Sequence, residues 1–81
     1  MEAEASIRKF IVRNLMMKKD ENVISLDDPL LEKGIVDSWG IVELTEFLAK
    51  EFGVRLEDSD ILPENFHSVR TIAALVNRSK A

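Results

Sequence analysis

Three adjacent residues in the stretch GIVDSWG, Asp37, Ser38 and Trp39, carry the side chains best placed for chemistry. The apolar pattern of a helix begins directly after them, and Ser38 suits the N-cap of that helix. A helix N-terminus gathers unpaired N–H groups and the positive end of the helix dipole, so a phosphate ester on the Ser38 hydroxyl would be stabilised there. The alternative is that Ser38 only caps the helix, a role that contributes about 0.5–2 kcal/mol.

Other catalytic or metal-binding side chains are scarce. The chain has no cysteine, which excludes disulfides and thiolate catalysis, and its one histidine, His67, supports neither a zinc cluster nor a histidine-based triad. Asp58 and Asp60 have the spacing of an EF-hand start, but Leu62 and Pro63 stand where that loop needs an oxygen ligand and a glycine. We therefore expect no metal site and no enzymatic activity.

The composition describes one small soluble domain, which we place over residues 1–81. Of the 81 residues, 46% are hydrophobic and 32% are charged, as in a globular protein with a thin core. No apolar run reaches the roughly 18–20 residues that cross a bilayer, and the N-terminal MEAEASIRKF lacks the pattern of a signal peptide. The expected location is the cytoplasm, and the expected state is a monomer.

The net charge of −4 is unevenly distributed along the chain. Residues 38–66 contain two basic and seven acidic side chains, whereas residues 67–81 contain three basic side chains and no acidic one. The acidic segment begins at Ser38 and would repel phosphates, so a nucleic-acid partner is not expected. It favours partner proteins that present a basic patch.

Hydrophobic periodicity and the breakers Pro29 and Gly34 predict four helical segments. In order they are a first helix over 3–17, a long loop over 18–37, a second helix over 38–52, a short helix within 54–66 and a final helix over 68–81. Asp58 or Ser59 is the expected cap of the short helix, and Ser68 that of the final one. With no alternating strand pattern, the sequence predicts an all-α fold, a small four-helix bundle with a long loop between helices 1 and 2.

The second helix has a clear inner and outer side. At 100° per residue an apolar stripe forms on one side, and Gly53 suits the helix stop. The stripe consists of Ile41, Leu44, Leu48 and Phe52. Trp39, Glu43 and Glu46 fall on the opposite side, with Val42 at the border, so Trp39 is expected outside the core. The inner face of the final helix is predicted to contain Val69, Ile72, Ala73 and Val76.

The stretch LLEKGIVDSWGIVELTEFLAKEFGVRLEDSDI resembles the acyl carrier protein family, in its form as a discrete small protein. The most specific part is the Asp-Ser pair followed by a large hydrophobic residue, then VEL and EFG. The resemblance implies that Ser38 carries 4′-phosphopantetheine, which a phosphopantetheinyl transferase moves there from coenzyme A. Asp37 would help the transferase to recognise the site. The thiol of that group would hold a cargo as a thioester. Because the chain has no cysteine, no protein thiol would compete with it.

The resemblance also assigns the exposed side of the second helix to partner binding. Trp39, Val42, Glu43 and Glu46 would form a docking strip, with the carboxylates steering basic partner enzymes and the apolar groups supplying contact area. Two alternatives stay open. Trp39 could fold back over the loop near Ile35 and Val36, and the two glutamates could be no more than a solvated face.

The function implied is that of a carrier in fatty-acid or specialised lipid or secondary metabolism, with an acyl-loading enzyme and acyltransferases as partners. Gly40 stands where fatty-acid carriers have an acidic residue, and Ala49 and Lys50 replace further acids, so the identity of the partners is open. The alternatives are an aminoacyl carrier, of the D-alanine or discrete peptidyl type, and a cofactor-free helical interaction module. Periodicity predicts a shallow cargo space lined by Leu44, Leu48, Ile61 and Val69.

Overall fold

The computed structural model describes residues 2–79, with side chains from residue 3 onward. Its elements are, in order, α1 (Glu2–Phe10), a π-helical turn (Ile11–Leu15), a 3₁₀ turn (Glu21–Val23), α2 (Ser38–Phe52), two further 3₁₀ turns (Asp58–Asp60 and Pro63–Phe66) and α3 (Val69–Ser79). Residues 2–79 contain no strand, so the predicted all-α class is confirmed. The predicted end of the final helix at residues 80–81 lies outside the described residues. Within the described range, no helix combines the length and the apolar character needed to cross a membrane.

The first predicted helix changes its geometry at Ile11. Ile7 on α1 is fully buried, and Ile11 continues the buried stripe into the π-helical turn. There the Met16 N–H donates to the Ile11 carbonyl at 2.9 Å, the bond across five residues that defines a π-helix. The wider turn alters which side chains of this segment face α2, and Asn14 and Leu15 lie beside the first turn of that helix.

Local signals define both ends of α2. The Asp37 side chain caps its N-terminus, and Gly53 ends it in the left-handed conformation, with φ of 65°. The Gly53 N–H donates to the Ala49 carbonyl at 3.0 Å, which satisfies one of the last carbonyls of the helix. The predicted stripe faces inward, with two residues fully buried and two half-buried: Leu44, Leu48, Ile41 and Phe52. The predicted end of this helix at Gly53 is confirmed.

The interior is filled by side chains, and this corrects the predicted cargo space. Leu44, Leu48 and Val69 are all 0% exposed and belong to the core, whereas Ile61 lies at the surface and is 36% exposed. The three buried residues therefore line no open space between the helices, because their neighbours pack directly against them. The predicted inner face of α3 is confirmed, since all four of its residues are buried: Val69, Ile72, Ala73 and Val76.

The short helix expected between α2 and α3 is present only as the two 3₁₀ turns. Leu62 has an extended backbone, with φ of −114° and ψ of 146°, because the ring of Pro63 disfavours the α-conformation in the preceding residue. In the first of these turns the Asp60 carboxylate accepts the Glu57 N–H at 2.9 Å. The N-cap is therefore Glu57, with Asp60 completing a capping box from the third position of the turn, and the prediction that Asp58 or Ser59 is the cap is wrong.

The loop before α2 is anchored to the start of α3. The Leu30 N–H donates to the His67 carbonyl at 2.8 Å, and the Arg70 N–H donates to the Leu26 carbonyl at 3.0 Å. The Arg70 guanidinium also donates to Asp27 Oδ1 at 2.7 Å, and this hydrogen bond lowers the pKa of the Asp27 carboxyl. These contacts hold the chain that leads into Asp37 and Ser38 against the rest of the fold.

Candidate functional site

Ser38 is the first residue of α2, and its side chain is exposed. The residue before it, Asp37, has an extended backbone, and its Oδ1 accepts the Gly40 N–H at 2.8 Å. Asp37 is thus the N-cap, and the prediction that Ser38 caps the helix is wrong by one residue. The physical reason is that aspartate caps as well as serine does and adds a negative charge at the positive end of the helix dipole. The Ser38 hydroxyl has no capping role.

This assignment of the cap makes a prediction about stability. Asp37→Ala is expected to lower the free energy of unfolding by about 0.5–2 kcal/mol, because the Gly40 N–H loses its acceptor. Ser38→Ala is expected to change it by less than about 0.5 kcal/mol, since the exposed hydroxyl caps nothing. Urea denaturation of both variants beside the wild type measures the difference. A larger loss for Ser38→Ala than for Asp37→Ala would show that the serine is the cap after all.

Gly40 is buried where the first turn of α2 meets the loop and the π-helical turn. A Cβ atom at this position would lie 3.0 Å from Val36 Cγ1 and 3.5 Å from Leu15 Cδ1. Glycine therefore allows α2 to approach these two side chains, and this close approach fixes Ser38 relative to the end of the first helical segment. Sequence reasoning treated Gly40 only as a departure from an acidic pattern, because hydropathy carries no signal for a buried glycine.

The N-terminal turn of α2 fits the phosphate of the phosphopantetheine group that the resemblance implies. The Ile41 N–H donates to the Asp37 carbonyl at 2.9 Å, and the Gly40 N–H donates to the Asp37 carboxylate. The N–H groups of Ser38 and Trp39 belong to the part of the turn that has no acceptor within the helix. Together with the dipole they favour an anion beside the exposed Ser38 hydroxyl.

Trp39 lies outside the core, as predicted, and 68% of it is exposed. Its indole Nε1 donates to Glu43 Oε1 at 2.8 Å, one helical turn further along α2. Trp39 and Ile35 line the same cleft. The alternative, in which Trp39 lies near the loop, is therefore partly right. The structure brings Trp39 and Glu43 together as one hydrogen-bonded pair next to Ser38.

Val42 and Glu46, the other two predicted docking residues, lie on the exposed side of α2. Val42 is 46% exposed and borders a shallow surface pocket of about 190 Å³ together with Ile41 and Ile61. Glu46 lies at the edge of the same pocket. The predicted strip is therefore continuous with a small apolar patch that reaches across to the segment before Pro63.

Another cleft, of about 300 Å³, lies between the π-helical turn and the first turn of α2. Asn14 and Leu15 line it together with Asp37, Trp39 and Glu43. Sequence reasoning missed Asn14 as a residue of this region. No sequence signal identifies it, because the π-helical geometry that places it there leaves no mark in the hydrophobic period.

The sequence contains a second Asp-Ser pair, Asp58-Ser59, and its setting differs from that of Ser38. Ser59 is also exposed, but it lies inside the three-residue 3₁₀ turn Asp58–Asp60, which has no helix dipole comparable to that of α2. Among residues 2–79, no group of three or more acidic or histidine side chains converges in a way that would bind a metal ion. Ser59 thus serves as a matched control for Ser38.

Comparison with known proteins adds independent information about this site. The family described as "Phosphopantetheine attachment site" matches residues 5–77, which include the whole of the site around Ser38. A protein of Serratia sp. (strain ATCC 39006) named "Probable acyl carrier protein PigG" is 45% identical over 53 residues. That alignment covers 65% of this chain and 61% of the length of the relative. The chain therefore belongs to the acyl carrier protein family, whose members carry covalently attached 4′-phosphopantetheine.

Proposed function

We propose that Ser38 is the residue that bears the 4′-phosphopantetheine, and that the protein carries an acyl group on it as a thioester between partner enzymes. The observation that carries this proposal is the exposed hydroxyl of Ser38 at the first position of α2, inside the matched region of residues 5–77. A capping role for Ser38 was the main alternative, and Asp37 fills that role.

The chain's own residues contribute binding and orientation at this site. The phosphate on the Ser38 oxygen would accept hydrogen bonds from the N–H groups at the start of α2, which are fixed by the cap at Asp37. The attached group supplies the thiol, and since the sequence has no cysteine, no protein thiol competes with it. The protein itself would catalyse no reaction, and it would work as a monomer in the cytoplasm.

Partner enzymes would approach the exposed side of α2 beside Ser38. Trp39 and Val42 offer apolar surface there, and Glu43 and Glu46 offer negative charge in the most acidic segment of the chain. Such a surface suits a partner with a basic rim and an apolar pocket. We assign this strip to the phosphopantetheinyl transferase and to the enzymes that load and unload the cargo.

Acyl cargo is favoured over aminoacyl cargo by the name of the relative, which is called a probable acyl carrier protein. Family membership also removes support from a cofactor-free interaction module, because the matched family is defined by phosphopantetheine attachment. The alignment covers only 61% of the length of the relative, so we do not assign the pathway of the relative to this chain.

The proposal is tested by measuring the intact mass of the protein before and after incubation with coenzyme A and a broad-specificity phosphopantetheinyl transferase. The wild type and the Ser59→Ala control are expected to gain the mass of one phosphopantetheine group, and Ser38→Ala is expected to gain none. A gain on Ser38→Ala would place the attachment elsewhere. No gain on folded wild type with two different transferases would overturn the proposal.

The modified protein then tests the cargo. We expect a further mass gain that hydroxylamine removes, the behaviour of a thioester, when an acyl-loading enzyme and its substrate are added. The same gain with an aminoacyl-adenylating enzyme, and none with acyl-loading enzymes, would support the aminoacyl alternative.

A further inference from the structure

The cleft between the π-helical turn and the first turn of α2 is not used by the function proposed above. It begins at Asp37 and Trp39, the two chain neighbours of Ser38, and has a volume of about 300 Å³. Leu15 and Ile35 contribute apolar atoms to it, while Asn14 and Glu43 contribute an amide and a carboxylate. A group attached to Ser38 would reach this cleft without any movement of the helices.

The polar groups of the cleft are available to a ligand. Within the described part of the chain, the Asn14 side chain makes no hydrogen bond, although a carboxamide can donate two and accept others. Glu43 Oε1 accepts the indole N–H of Trp39, so the second oxygen of that carboxylate remains as an acceptor. Both kinds of hydrogen-bonding group are therefore present on opposite walls.

We propose that this cleft holds the amide-bearing part of the phosphopantetheine arm when no partner is bound. The Asn14 carboxamide and the Glu43 carboxylate bind the amide groups of the arm, and the Trp39 ring covers it. This proposal rests on the proposed attachment of the arm at Ser38.

The chemistry of the arm and its point of attachment favour this cleft over the other openings beside α2. The arm is a chain with two amides, each of which needs hydrogen-bonding partners when it leaves water. The opposite pocket, bordered by Ile41, Val42 and Ile61, presents apolar side chains and suits no amide. A neighbouring cleft lined by Phe10, Asn14, Glu43 and Phe47 offers similar groups. The cleft chosen here is the one lined by both chain neighbours of Ser38, Asp37 and Trp39, so it lies nearest to the point of attachment.

The hydrogen bond from Trp39 to Glu43 gives the indole a defined position over the rim of the cleft. With 68% of Trp39 exposed, much of the ring is in water before the arm arrives. An arm in the cleft would replace water on the ring face that borders the cleft. Trp39 is the sole tryptophan in the sequence, so its fluorescence reports on this site alone.

The test compares apo and modified protein, with the mass gain recorded for every sample. Modification of the wild type is expected to shift Trp39 emission to shorter wavelength, to lower its quenching by acrylamide and to shift the NMR signals of the Asn14 side-chain amide. In Asn14→Ala the mass gain persists, and the changes in Trp39 emission and quenching are reduced or lost. Asn77→Ala, which removes an exposed asparagine from α3, behaves as the wild type.

The outcomes separate this inference from the function on which it rests. A wild type that gains the mass but shows no change in Trp39 emission, quenching or Asn14 signals overturns the cleft proposal and leaves Ser38 as the attachment residue. An Asn14→Ala variant that responds as Asn77→Ala does also overturns it. The absence of a mass gain on folded wild type overturns both proposals.

Discussion

Leu44→Ala is expected to lower the free energy of unfolding by about 2–5 kcal/mol, the range for truncating a fully buried leucine. Leu44 is 0% exposed and lies in the stripe that joins α2 to the core. The loss combines the missing hydrophobic transfer energy with the cavity left by the removed atoms. Urea denaturation measures this loss of stability. Because the total stability of a domain is about 5–15 kcal/mol, part of the variant population can be unfolded without denaturant.

The matched control for this prediction is Val42→Ala, two residues earlier on the same helix and 46% exposed. Its truncation removes surface atoms and should change stability by no more than about 0.5 kcal/mol. If Leu44→Ala were as stable as Val42→Ala, the leucine would not be packed in the core. The predicted cargo space along Leu44 and Leu48 would then have to be reconsidered.

Gly40→Asp is the second change with a large expected effect. Its Cβ would lie 3.0 Å from Val36 Cγ1, and overpacking of this kind costs about 1–3 kcal/mol. The new carboxylate would also enter a buried position beside the Asp37 carboxylate, whose Oδ1 lies 3.5 Å from the added Cβ, so charge repulsion and desolvation add to the loss. We expect a clear drop in the urea midpoint and a weaker N-terminal turn of α2.

Gly40→Ala is the control, because it tests the space without the charge. Alanine favours a helix by about 1 kcal/mol over glycine, and this gain opposes the close contact with Val36. We expect a much smaller net change than for Gly40→Asp. Wild-type stability in Gly40→Asp would contradict the close approach of α2 to Val36 and Leu15.

The parts of the fold that depend on local signals could be predicted from the sequence. The ends of α2 follow from an Asp-Ser pair and from Gly53, and its inward stripe follows from the helical period. The cap was misplaced by one residue because Asp37 and Ser38 are equally good capping residues and stand next to each other. Ser38 was still identified as the residue of interest, since its accessibility does not depend on which of the two caps the helix.

The parts that depend on tertiary contacts could not be predicted. The Phe10 and Phe47 rings stack with centroids 4.2 Å apart, and this contact joins α1 to α2 through residues far apart in the sequence. The burial of Gly40 and the π-helical position of Asn14 depend on the same packing of these two segments. A hydrophobic pattern records which residues prefer the interior, and it does not record how closely two segments approach.

The measurement that tests the central claim most directly is fragmentation mass spectrometry of the modified wild-type protein. We predict that the phosphopantetheine mass lies on the fragment ions that contain Ser38, with no mass added to fragments that contain Ser59 or Ser25 and lack Ser38. Attachment at any other serine, or a folded protein that accepts no phosphopantetheine, would contradict the assignment of Ser38 as the carrier residue.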